Sequence, residues 1–237
     1  MSPPAPPLRR NPTAVRLWRG YCRWRVRRSL GGVWVSGLEE TRARLADGPL
    51  ILAATHVAWW DGLLVTLAGA ALGAEDFVLV DAPTLARLPW LARVGALAVD
   101  RTGGARARSG IRAAAEVLDR PGRALWIYPQ GRQRPAWLRP LDVRPGTALV
   151  ARISNAPVVP VALTYAFRED AAPAAFLHFG APVPPADLES ALVEGLARVD
   201  QFLDTGAPGF HPLTPAPAAR ADRGLGARLL SLFTGPR

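Results

Sequence analysis

Short apolar runs that alternate with stretches of helical periodicity constrain this chain's fold more than any other feature. The runs are Val33 to Val35, Leu50 to Ala54, Phe77 to Val80, Ala96 to Val99, Ala124 to Tyr128, Val158 to Tyr165 and Ala175 to Phe179. Helical spacing is clearest over Leu63 to Leu72, Ala105 to Leu118, Gly146 to Ser154 and Ala186 to Leu203. Strands with little polar alternation must be covered on both faces, and strands alternating with helices are the pattern of α/β folds. The expectation is a single α/β domain over residues 31–205, with a mostly buried mixed sheet flanked by helices. A chain of 237 residues, 49% of them hydrophobic, suffices for one sizeable core.

The two ends differ from this centre. Residues 1–12 are rich in Pro and read as an unstructured lead-in. From Thr13 to Leu30, Val15, Trp18, Cys22 and Val26 recur at spacings of three and four, with Tyr21 beside them and Arg at most other positions, which predicts a basic amphipathic helix. Such a helix either lies in the headgroup region of an anionic bilayer or packs on the domain with a solvated Arg face. Residues 206–237 read as a Pro- and Ala-rich linker followed by a second short basic amphipathic segment around Leu225, Leu229, Leu230 and Phe233.

The net charge is +10, and every basic residue is Arg. Arg carries a planar donor fork suited to phosphate, so anionic partners are expected, although a coding bias towards Arg also accounts for the missing Lys. Eight arginines fall in the first thirty residues, which hold no Asp or Glu. No nucleic-acid motif accompanies them, so nucleic acid is not an expected partner. Cys22 is the only cysteine, which excludes an intramolecular disulfide and any multi-cysteine zinc site. No secretory signal pattern opens the chain, and the apolar stretch from Pro49 to Leu72 carries His56 and Asp61 near its middle, which would be costly in lipid. A cytoplasmic protein is expected, with membrane contact open. Nothing in the pattern specifies an oligomer.

The common catalytic motifs are absent: there is no G-x-S-x-G elbow, no Walker A motif and no G-x-G-x-x-G after a strand. His56, His178 and His211 are far apart and none belongs to an H-E-x-x-H pair, so neither a metal nor another cofactor is expected. What remains is His56 at the end of an apolar strand, with Asp61 five residues on. If a helix begins near Trp59 or Trp60, Asp61 in its first turn can reach back to one imidazole nitrogen and leave the other facing a cleft. That pair is either a general base with its supporting carboxylate or a strand-end His bonded to a helix-capping Asp. Arg101, at another strand end beside Gly103-Gly104, is placed to grip an anion or simply to end the strand at the surface. The stretch Tyr128-Pro129-Gln130-Gly131-Arg132-Gln133-Arg134 gathers donors in a turn, and Ala156 to Leu163, with Pro157 and Pro160, reads by itself as an edge or entry strand.

The order and spacing of these four stretches resemble the glycerolipid acyltransferase family, which makes phosphatidic acid from lysophosphatidic acid. His56 to Asp61 matches the family's N-H-x-x-x-x-D motif and Gly95 to Arg101 its G-x-x-x-x-D-R block. Tyr128 to Arg134 corresponds to F-P-E-G-T-R-S and Ala156 to Val161 to V-P-x-x-P-V, so the resemblance covers roughly residues 33–179. It implies that His56, supported by Asp61, deprotonates a lysophospholipid hydroxyl that attacks the thioester of acyl-CoA or acyl carrier protein. It also implies that Arg101 holds the acceptor's phosphate or other polar head, that Gln130, Gly131, Arg132 and Arg134 shape that pocket, and that the fourth block lines the cleft or acyl channel. Membrane lipids are then partners, and the cytoplasmic face of a membrane, held peripherally, is the expected location. The chain departs from the pattern where Thr55 replaces Asn, Gln130 replaces Glu and Arg132-Gln133 replaces Thr-Arg. These changes cast doubt on ordinary lysophosphatidate and leave other lipids, such as carotenoid glycosides, open as acceptors. Trp59-Trp60 is unusually bulky, and core packing is the preferred reading over anchorage at a lipid surface.

Overall fold

The computed structural model describes residues 10–168 and 171–214. Its centre is an eight-stranded mixed sheet built from β1 (Val33–Ser36), β2 (Leu50–Ala54), β3 (Glu75–Asp81), β4 (Ala96–Val99), β5 (Arg123–Ile127), β6 (Val158–Ala166), β7 (Ala174–Phe179) and β8 (His211–Thr214). The order across it is β4-β3-β5-β2-β6-β7-β1-β8. The five strands from β4 to β6 run parallel, β7 is antiparallel to β6, β1 is parallel to β7, and β8 closes the far edge antiparallel to β1.

Every residue of β2 and β5 is buried, because helices cover both faces. Leu50, Leu52, Ala54 and Trp126 face one layer, formed by α1 (Pro12–Ser29), α2 (Leu38–Asp47) and α3 (Asp61–Leu72). Their neighbours Ile51, Ala53, Leu125 and Ile127 face α5 (Gly104–Glu116), α6 (Gly146–Ser154) and α7 (Leu188–Thr205). The short α4 (Ala82–Arg87) and a 3₁₀ turn over Pro89–Val94 bridge β3 and β4. The α/β class, the mixed sheet and the flanking helices are as the apolar runs imply.

Three features differ from the sequence expectation. Helix α2 and strand β8 were not anticipated. Only Leu38, Thr41 and Leu45 of α2 are buried, too sparse a stripe to stand out. β8 lies in the stretch read as linker, and Pro212 is tolerated there because an edge strand does not need its N–H. The third concerns β6, which is not an edge strand but runs between β2 and β7. Its Pro160 sits where the ladder with β7 gives out: pairing runs from Val161↔Phe179, and Pro160 only accepts, from Gly180 N at 2.9 Å. No donor is missed at that point.

Helix α1 begins at Pro12 behind Asn11, whose side chain accepts from Ala14 N at 3.0 Å. Val15, Cys22 and Val26 are buried, and α1 lies against α3. Of the two arrangements open to a basic amphipathic helix, packing on the domain is the one seen. Its arginines are not all solvated, however. Arg19, joined by Arg10 from just ahead of the helix, turns inward to the Asp76 carboxylate, at 2.6 and 3.4 Å respectively. The first nine residues of the Pro-rich lead and the basic segment around Leu225 to Phe233 lie outside the described residues. Among the described residues no helix is long and apolar enough to cross a membrane.

Asp76→Ala is expected to strand two guanidinium groups against the sheet. Because Arg19 keeps 26% of its side-chain surface in solvent, the cost should be about 2 kcal/mol, below the 3–5 of a fully buried pair. A fall in the urea unfolding midpoint at unchanged slope measures it.

Candidate active site

Strand β2 runs out at Ala54, and Thr55 anchors the chain as it leaves the sheet. Its buried hydroxyl donates to Leu163 O and accepts from Leu163 N, both at 2.7 Å, so it acts as one more rung between β2 and β6. Thr serves here because the position needs one short donor-acceptor group. The chain then turns over residues 57–60, and α3 begins at Asp61 itself.

Asp61 has no exposed surface. Its Oδ2 accepts from His56 Nδ1 at 2.7 Å, Val57 N at 2.6 Å and Ala58 N at 3.0 Å, and its Oδ1 accepts from Tyr165 Oη at 2.6 Å. A carboxylate at the first position of a helix also meets the favourable end of the helix dipole. Since it can only accept, the proton between it and His56 belongs to Nδ1, and the basic lone pair of the neutral ring is on Nε2. The Tyr165 phenol, buried and bonded to that carboxylate, is pushed far above its ordinary range, so it remains a donor.

The turn after β5 holds His56 from behind. Gln130 Oε1 accepts from His56 N at 2.6 Å, and Arg134 N donates to His56 O at 2.8 Å. Tyr128 stacks on the imidazole with centroids 4.2 Å apart. Its hydroxyl is buried with no hydrogen-bond partner among the described residues, and burial pushes its pKa well above the usual tyrosine value. Gln130 is 1% exposed and does not line the cavity in front of His56. It supports the His56 main chain, where sequence reasoning placed it in the substrate pocket.

That cavity, about 400 Å³, runs from His56 and Trp59 between apolar walls that include Val65, Phe77, Leu79, Trp90 and Trp126. Arg101 and Gly131 stand at its polar side. The Arg101 fork grips both Asp81 oxygens at 3.1 Å and donates to Gly131 O. Gly131 has φ +67°, a left-handed conformation that favours glycine. Arg132, Arg134 and Arg144 do not line the cavity; in the loop beside Gly131 they share one carboxylate, Asp142, at 3.3, 3.6 and 3.9 Å, which leaves that loop cationic.

Two expectations need correcting. Residues 156–161 do not line this cavity; they are central in the sheet, where Val159 and Val161 are fully buried. Trp59 is not a core residue. It is 60% exposed, because the turn before α3 carries it past the edge of both layers, and it meets Trp60 edge-on at 5.3 Å. Sequence reasoning also missed Tyr165, Tyr128, Asp81 and Arg144. Only Tyr128 sat inside a recognised block.

A larger cavity, about 600 Å³, opens at the opposite edge of the sheet between β1, α2 and α7 and includes His178. There Nδ1 meets the Ser36 hydroxyl, at 2.8 Å, and burial, then Arg198, lowers the ring's pKa. No carboxylate among the described residues backs that ring, so the smaller cavity is the site with a poised base. Cys22 is no rival nucleophile, since burial pushes its thiol up to about 12. Among the described residues no three His, Cys, Asp or Glu side chains converge as a metal site requires. The arrangement can take a proton from a group bound at Nε2 and return it.

A family model described as Acyltransferase matches residues 32–164, more than half of the chain. The match takes in His56, Asp61, Arg101 and the turn over residues 128–134. No curated protein matches.

Asp61→Ala should cost about 3 kcal/mol of stability, because it leaves part-buried donors on Val57, Ala58 and Tyr165 without their acceptor. His56→Ala leaves Asp61 those three donors and should cost no more than about 1 kcal/mol. Calorimetric melting of the two variants distinguishes the hub from the base.

Proposed function

The chain belongs to the acyltransferase family, and from that premise we propose that it moves a fatty acyl group from acyl-CoA or acyl carrier protein to a hydroxyl of a lysophospholipid of the 1-acylglycerol-3-phosphate type. The observation that carries this reading is the His56–Asp61 pair, with Nε2 unbonded among the described residues at the end of a largely apolar cavity that Arg101 also lines. The acceptor hydroxyl gives its proton to Nε2 as its oxygen attacks the thioester carbonyl. Asp61 stabilises the imidazolium that forms. The C–S bond then breaks, and the imidazolium returns the proton to the departing thiolate. No cofactor enters the scheme.

Arg101, with Arg132, Arg134 and Arg144 behind it, faces the acceptor's polar head, and the apolar walls take the chain. An acyl acceptor with a sugar head, such as a carotenoid glycoside, is the second reading. It is favoured by the Arg101–Asp81 pairing, which presents a carboxylate beside the guanidinium and so suits hydroxyls as well as phosphate.

A peripheral position on the cytoplasmic face of a membrane fits the outer side of α1. Leu17, Tyr21 and Trp24 are exposed there among Arg16, Arg23 and Arg27, and ring contacts continue from Trp24 through Tyr21 and Trp18 to Trp90 on the cavity wall. Aromatic and basic groups together suit the headgroup region of an anionic leaflet.

His56→Ala should lower thiol release from acyl-CoA by roughly 10²–10⁴-fold across a panel of lysolipids and glycolipids, with products identified by mass spectrometry. Activity retained in that variant overturns the mechanism. Trp24→Ala combined with Leu17→Ala should weaken binding to anionic vesicles by about tenfold without altering the fold. Vesicle binding by the parent protein with no thiol release from any acceptor would favour a non-catalytic lipid-binding relative.

A further inference from the structure

Tyr165 lies outside all four sequence blocks, 104 residues from Asp61, yet its hydroxyl and the His56 ring are the two side-chain donors on that carboxylate among the described residues. We infer that Tyr165 is a positioning residue that sets the basicity of His56 by sharing the Asp61 carboxylate with it. The inference rests on the acyl-transfer reading for its catalytic meaning, although its physical basis does not.

The geometry divides the carboxylate into two halves. Oδ2 faces the imidazole and the turn amides, and Oδ1 faces β6. Asp61 is completely buried, so no solvent can take the place of a missing partner on Oδ1. A phenol whose own ionisation is pushed far upwards donates at every working pH and withdraws a constant share of the negative charge. What remains on Oδ2 determines how strongly a protonated His56 ring is held. Without the phenol, more charge faces Nδ1 and the imidazolium is favoured.

The other ionisable groups near the ring are Tyr128, stacked on its face, the Arg101–Asp81 pair across the cavity, Arg134 in the turn behind it, and Arg25 over Trp60. None of them bonds to Tyr165, so Tyr165→Phe leaves them in place. The ring of Tyr165 packs against the α3-side core, and the variant keeps that packing.

The test is an imidazole-nitrogen NMR titration of the full chain and of Tyr165→Phe. Three histidines make the spectrum tractable, with His178 bonded to Ser36 and His211 on the edge strand. The His56 ring should titrate about one pH unit higher in the variant, with Nδ1 remaining the protonated nitrogen of the neutral form. The acid limb of kcat/KM for thioester consumption should move up with it, since the neutral ring is the working base. Melting curves on the same samples separate this from a loss of structure. A His56 titration that is unchanged or moves down overturns the inference, whatever happens to stability. The titration is read without any acyl acceptor. A parent protein that transfers no acyl group would therefore sink the functional reading, while the spectrum still decides whether Tyr165 tunes the ring.

Discussion

One fully buried carboxylate, Asp61, organises this molecule. An isolated charge in a protein interior is prohibitively costly, so the surroundings must supply donors in proportion. Here they come from two turn amides, an imidazole and a phenol, and the carboxylate sits in the first turn of α3, at the favourable end of its dipole. Those donors belong to two separate parts of the chain, the segment leaving β2 and strand β6, while the carboxylate itself belongs to α3. The bonds that make the charge tolerable therefore also fix the relative placement of β2, α3 and β6. Stability and chemistry depend on the same atoms, and a substitution at Asp61 cannot address one without the other.

A second, largely buried carboxylate plays a simpler part. Asp76, at the start of β3, draws Arg19 and Arg10 to it and clamps α1 beside the cavity wall. With Val15, Cys22 and Val26 committed inward, the helix keeps its remaining apolar and aromatic side chains for the outside. That division explains how one basic helix packs on the domain and still presents Leu17, Tyr21 and Trp24 to whatever covers it. The alternatives open to an amphipathic helix were not exclusive, because a helix has more than one stripe.

The sequence made legible what is local. The short apolar runs became the sheet, and the five-residue step from His56 to Asp61 became a bonded pair because a turn and a helix start suffice to close it. Arg101 and Gly131 also met, since each ends or follows a parallel strand at the same side of the sheet. What could not be read depends on contacts far apart in the chain. Tyr165 looks like any other residue of an apolar strand until β6 is placed beside β2. Arg144 and Asp142 carry no motif and matter only because the loop after the Gly131 turn folds back on it. Trp59 misled because bulk alone predicts burial, whereas its position in a turn past the sheet edge decides otherwise.

Gln130 shows how the two kinds of information combine. By charge, replacing a glutamate in that block looks like the loss of a catalytic or binding carboxylate. By geometry, the position supplies an acceptor for the His56 main-chain N–H, and an amide oxygen supplies one as well as a carboxylate does. The exchange keeps the hydrogen bond and removes a negative charge from the back of the imidazole, so Asp61 is the only carboxylate bonded to His56 among the described residues. That places the burden of tuning the base on Asp61 and on the groups that share it. The arginines of the loop beside Gly131, by contrast, share the single carboxylate of Asp142 and keep a net positive charge. The substitution thus bears on the electrostatics around the imidazole and leaves the placement of His56 as it was.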